Sequence, residues 1–130
     1  MGGRGSSSGR NGKGMSKSEK SILQTKTSNI TGGKEGTEKQ RSYANSLAEI
    51  HKNTIKRLIS ERNKSFDDYK QRIKSSEGKS EKLKSLIQRT AKSSLKDEIS
   101  KKNKEIKRYT QKLKKAKRQK TLGQVISVLS

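Results

Sequence analysis

The chain has 130 residues and carries 34 Lys and Arg against 12 Asp and Glu, a formal charge of +22. That excess favours polyanionic partners: nucleic acid, an acidic protein surface or an anionic membrane. There is no Cys, one His and no Trp, which excludes disulfides, thiolate metal sites and a broad aromatic core.

Nine of the eleven glycines lie in residues 1–36, mixed with Ser, Lys and Arg. Such a stretch buries too little apolar surface to offset its ordering entropy. The composition therefore predicts a disordered basic arm over 1–36. Ser21-Ile22-Leu23-Gln24 is its only apolar spot, a transient helical turn or a docking point. Arg4 and Arg10 stand on slack, Gly-rich backbone, an arrangement that engages phosphates without demanding a fixed shape. Neither has an aromatic neighbour on which a base could stack. Met1-Gly2 with Ser6 matches the N-myristoylation pattern, and a plain flexible arm accounts for the same residues.

Met1-Gly2-Gly3-Arg4-Gly5-Ser6-Ser7-Ser8-Gly9 resembles the opening of many small proteins of tailed phages and prophages of Gram-positive bacteria. The resemblance covers these nine residues alone. It implies a phage context, with a head-associated or packaged protein found in the host cytoplasm or the virion. It transfers no active site.

A helix start follows the arm. In Thr37-Glu38-Lys39-Gln40, Thr37 is placed as N-cap and Gln40 as N3, a capping box. Apolar residues then recur at steps of three and four: Tyr43, Leu47, Ile50, Ile55, Leu58, Ile59, Phe66, Tyr69, Ile73. Arg62 stands where that stripe wants an apolar side chain. Gly78 interrupts, and a second stripe follows: Leu83, Ile87, Ala91, Leu95, Ile99, Ile106, Tyr109, Leu113, Ala116. Lys102 breaks its seam. With no Pro in the chain, both helices can run long.

Folding back at Gly78 pairs Phe66 with Ala91, Tyr69 with Ile87 and Leu47 with Tyr109. The fold class expected is therefore all-α: the arm, then a long antiparallel, coiled-coil-like helical hairpin over 37–121. Its helices span 38–76 and 80–121, with a stop at Gly123. The alternative is one continuous helix in an oligomeric coiled coil, since one exposed Gly costs a helix only about 1 kcal/mol. Residues 122–130 form a short apolar tail, in which Leu122, Val125, Ile126 and Leu129 share a helical face. That face would cap the hairpin end or dock a partner.

No enzymatic constellation emerges. His51 is the only His and stands beside an apolar stripe, a structural position. Asp67-Asp68 and Asp97-Glu98 are neighbours whose side chains diverge on a helix, so neither makes a paired acid and base. Gly12-Lys13 and Gly33-Lys34 lack the rest of a phosphate loop. No catalytic residue, metal site or cofactor is expected. No apolar run is long enough to span a bilayer and no signal-peptide core opens the chain, so an intracellular setting is expected.

Charge therefore carries the functional reading. Between Lys101 and Lys120 stand eleven Lys and Arg and one acid, Glu105. Lys104, Lys107, Arg108, Lys112, Lys114, Lys115, Lys117 and Arg118 are the candidate nucleic-acid-binding residues, together with Arg4 and Arg10. The function expected is a non-enzymatic, basic accessory protein that binds DNA or RNA non-specifically through phosphates, at or near the phage head. One alternative is a coiled-coil scaffold or adaptor for an acidic protein partner, with self-association completing a thin core. A membrane-surface protein ranks last.

Overall fold

Five helices carry the chain in the computed structural model, which describes residues 14–130: α1 (Lys17–Gln24), α2 (Thr27–Thr31), α3 (Glu38–Ser75), α4 (Glu81–Lys117) and α5 (Leu122–Leu129). No strand occurs among the described residues. The long helices α3 and α4 pack against each other as an antiparallel hairpin.

α3 begins as its capping box requires. The Gln40 N–H donates to Thr37 Oγ1 at 3.1 Å, and the Thr37 N–H donates back to Gln40 Oε1 at 3.0 Å. The helix ends where Ser76, fully buried, turns its hydroxyl onto the Ile73 carbonyl at 2.6 Å. Gly78 follows with φ 84°, a left-handed conformation that glycine adopts without a Cβ penalty. Ser80 then caps α4, its Oγ accepting the Leu83 N–H at 3.3 Å. The chain thus reverses at Gly78, and the continuous-helix alternative is set aside.

Two compact units divide the chain. The first holds Gly14 with Ile59–Lys104, the distal hairpin. Its apolar layer is thin. Ile59 and Ala91 are buried, Phe66, Tyr69, Ile73, Ile87, Leu95 and Ile99 are half-buried, and Leu83 and Leu86 are 44% and 56% exposed. The two seam-breaking cations belong to one polar layer. Lys102 Nζ lies 2.7 Å from Glu61 Oε1. Buried Arg62 donates from Nη1 to Asn103 Oδ1 at 2.7 Å and from Nη2 to the Gly14 carbonyl. A charged layer of this kind disfavours slipped pairings, which would leave buried Arg62 away from its partners.

The second unit, Met15–Leu58 with Glu105–Ser130, holds most of the core. Here the sequence reading is corrected in three places. First, residues 16–31 are ordered. Ser16 and Glu19 form a capping box that starts α1, and Ile22 and Ile30 are buried. An arm disordered to residue 36 misses that two isoleucines at the right spacing suffice once a larger surface receives them. Residues 1–13, the rest of the expected arm, lie outside the described residues.

Second, α3 turns a different face inward over its first four turns. Ala44, Ala48, His51 and Ile55 are buried, whereas Tyr43 is 53% and Ile50 58% exposed. The alanines let other segments approach closely. Residues 25–31 run along the adjoining edge of α3: Thr31 Oγ1 donates to Asn45 Oδ1 at 2.8 Å, Thr27 Oγ1 to Glu49 Oε1 at 2.8 Å, and Lys52 Nζ to the Thr25 carbonyl. Consequently Tyr109 meets His51 edge to face, with ring centroids 5.5 Å apart, in place of the expected Leu47.

Third, α4 stops at Lys117, short of the expected 121. Thr121 and Gln124 form a capping box of their own, so Gly123 lies in the first turn of α5 and is no stop signal. The tail is a helix with Leu122, Val125 and Leu129 buried. It packs on α2. Glu35 Oε1 accepts the Leu122 N–H at 3.1 Å, placing a carboxylate at the positive end of α5. Gly36, at φ 77°, lies so close to the Leu122 side chain that a Cβ there would overlap it.

Candidate nucleic-acid interface

The last third of α4 sorts its residues by angle. Ile106, Thr110, Leu113 and Ala116 are buried at steps of three and four. On the opposite side lie Lys107, Arg108, Gln111 and Lys115, all exposed, and Arg118 is exposed in the turn that follows α4. Lys104 is also exposed and belongs to the first unit. At 1.5 Å per residue, Lys107 to Lys115 spans about 12 Å. No carboxylate stands on this face. Glu105, the one acid nearby, falls about 100° round the helix from Lys104.

Some expected site residues are otherwise engaged. Lys114 is half-buried and donates to Ser18 Oγ, tying α4 to α1. Lys112 is half-buried, and its charge acts on His51. Lys117, the last residue of α4, is exposed, but by angle it falls on the side of Ile106 and Thr110, away from the stripe. Arg4 and Arg10 lie outside the described residues. Arg108 is oriented by its neighbour: its guanidinium carbon is 5.0 Å from the Tyr109 ring centroid, and Nη2 donates to the Tyr109 hydroxyl at 3.3 Å. Tyr109 is half-buried between that contact and His51, so it offers no free ring for stacking a base.

Two further cations join the same unit. Lys17 and Lys20 are exposed on α1, the helix that Lys114 holds. The signal for them was legible: Ser16-Lys17-Ser18-Glu19 has capping-box spacing ahead of Ile22 and Leu23. The second unit carries 17 Lys and Arg against 5 Asp and Glu over residues 15–58 and 105–130, a net of +12 out of +22, so its charge per residue is that of the chain as a whole.

His51 is built into the core. Its Nδ1 lies 3.0 Å from the Leu47 carbonyl, and Nε2 is buried with no hydrogen-bond partner. Burial pushes the imidazole below its usual 6.5, the Leu47 bond opposes this, and the Lys112 charge adds to the lowering. A neutral ring donating from Nδ1 fits these contacts. Among the described residues no group of three or more His, Cys, Asp or Glu could hold a metal ion, and no helix is long and apolar enough to cross a membrane.

Compared with known proteins, the chain matches no family model, no curated protein and no solved structure.

Proposed function

We propose that this protein binds nucleic acid without sequence preference, through backbone phosphates, using the α4 stripe as its principal contact. One observation carries the reading: Lys107, Arg108 and Lys115 share an exposed face that has no carboxylate and lies opposite the core, with exposed Arg118 in the turn that follows. A solvated helix face normally mixes both signs. Here cations of one sign crowd together, and a polyanion relieves their repulsion by releasing its own counterions. The absence of a free aromatic ring on the stripe favours duplex backbone over stacked single strands. Together with the opening residues 1–9, this reading suits an accessory protein that accompanies phage nucleic acid near the head.

The test is a salt titration of binding to a labelled duplex of arbitrary sequence. Each phosphate contact contributes about 0.9 to the slope of log affinity against log salt. Replacing Lys107, Arg108, Lys115 and Arg118 with Gln should flatten that slope by about 3–4 and weaken all sequences alike. A wild-type protein that fails to bind duplex at ~50 mM salt, or a variant with the wild-type slope, refutes the proposal.

A further inference from the structure

Correcting the inward face of α3 leaves an apolar strip without a partner. Tyr43, Leu47, Ile50 and Thr54 recur at steps of four, three and four, the spacing of a coiled-coil seam. Tyr43 and Ile50 are mostly exposed and Leu47 is half-buried. The strip also occupies an unusual electrostatic position. Residues 42–55 contain only two charged side chains, Glu49 and Lys52, in a chain of net +22. Neither belongs to the strip: Glu49 accepts from Thr27, and Lys52 is buried and donates to Thr25.

Those two facts select the occupant. A nucleic acid or an acidic protein would find no cation on this face between Tyr43 and Thr54. A helix with the same spacing fits it, and two copies of so basic a chain can approach here with little local repulsion. The geometry points to a second copy of this chain, docked antiparallel through Tyr43, Leu47, Ile50 and Thr54 of α3. In the antiparallel register that interleaves the seam, Leu47 faces Ile50 of the other copy and Ile50 faces its Leu47. Tyr43 faces Thr54 and Gln40 faces Arg57 in the same way, and alongside them Ser46 faces Asn53. No like charges oppose each other in these layers. Specific interfaces bury about 800 Å² on each partner. A seam of four short layers falls below that, so the dimer is weak and its population depends on concentration. Because the rest of the chain repels its copy, salt strengthens the dimer, the opposite of its effect on phosphate binding.

The absence of cysteine makes the test direct. Full-length Leu47→Cys and Ile50→Cys proteins are mixed and oxidised at ~0.5 M salt, where the screening length is about 4 Å. Antiparallel docking should give the mixed 47–50 disulfide in at least ~5-fold excess over either like pair, because only unlike positions face each other. Dominance of the Ile50→Cys like pair overturns the antiparallel arrangement. Crosslinking no greater than that of an exposed control, Ser93→Cys, overturns the docking. In parallel, sedimentation of Ile50→Lys should show a dimer dissociation constant raised at least ~10-fold with helicity unchanged, the side chain being mostly outside the core. A wild-type chain that stays monomeric to ~1 mM at that salt also overturns the inference.

Discussion

Replacing Ile30 with Ala tests the claim that the segment before α3 is ordered by docking alone. α2 has five residues and no side-chain N-cap, far below the length at which a helix holds itself together. Ile30 is 1% exposed, so its side chain is the main apolar anchor of α2. Ile to Ala in a core costs about 2–5 kcal/mol, from lost transfer energy and the cavity left behind. A short terminal segment can detach without unfolding the rest, so the loss should appear locally. Taking the low end, about 2 kcal/mol corresponds to about a 30-fold rise in the open population. Hydrogen exchange by mass spectrometry should show that loss of protection over residues 17–31, with α3 near Ile55 much less affected. Tryptic cleavage after Lys17, Lys20 and Lys26 should accelerate alongside it. Unchanged exchange and cleavage in this segment would refute the docking argument, since Ile30 is the apolar anchor of α2.

Two further outcomes follow from the glycines and the histidine. Gly78→Ala should cost about 1–2 kcal/mol, the left-handed penalty, because a Cβ there meets open space. Gly36→Ala should cost more, because its Cβ also displaces Leu122, so melting temperatures should fall in the order wild type, Gly78→Ala, Gly36→Ala. A Gly36→Ala protein as stable as wild type would contradict the α5 contact. For His51, the folded chain holds the ring neutral below its usual 6.5, so the unfolded chain binds the proton first as pH falls. Its contribution is complete above pH 6.5 and is lost as pH falls through the lower folded value. Thermal melts between pH 7.5 and 5.5 should show a downward slope that His51→Phe flattens, and parallel curves would refute the assignment.

The hairpin was legible because its signals are local. A capping box at Thr37, two stripes at helical spacing and a lone Gly78 leave few ways to draw the chain. The seam breakers Arg62 and Lys102 were visible as anomalies, but their partners Asn103 and Glu61 lie 41 residues away in each case. The inward face of α3 was misread because Tyr43, Leu47 and Ile50 outrank Ala44 and Ala48 in hydrophobicity. Alanine has little apolar area but permits close approach, and only the packed neighbours show which property counts. The apolar face of 122–129 was visible, but its contact with α2 was not, because residues 25–31 are too polar and short to announce a helix alone. At the candidate interface, the angle of each cation on α4 followed from the periodicity. That Lys114 is committed to Ser18 did not, because the expected arm left nothing there to receive it.

The bond from Leu122 to Glu35 joins positions 87 apart in sequence, and that from Lys114 to Ser18 joins positions 96 apart. During synthesis the amino-terminal end emerges first. The hairpin can close as soon as α4 follows α3, but α1 and α2 lack their final partners until residues up to 129 have been made. Residues 17–31 are thus made before α3, α4 and α5 but settle after them, and spend the interval loose, basic and open to proteases.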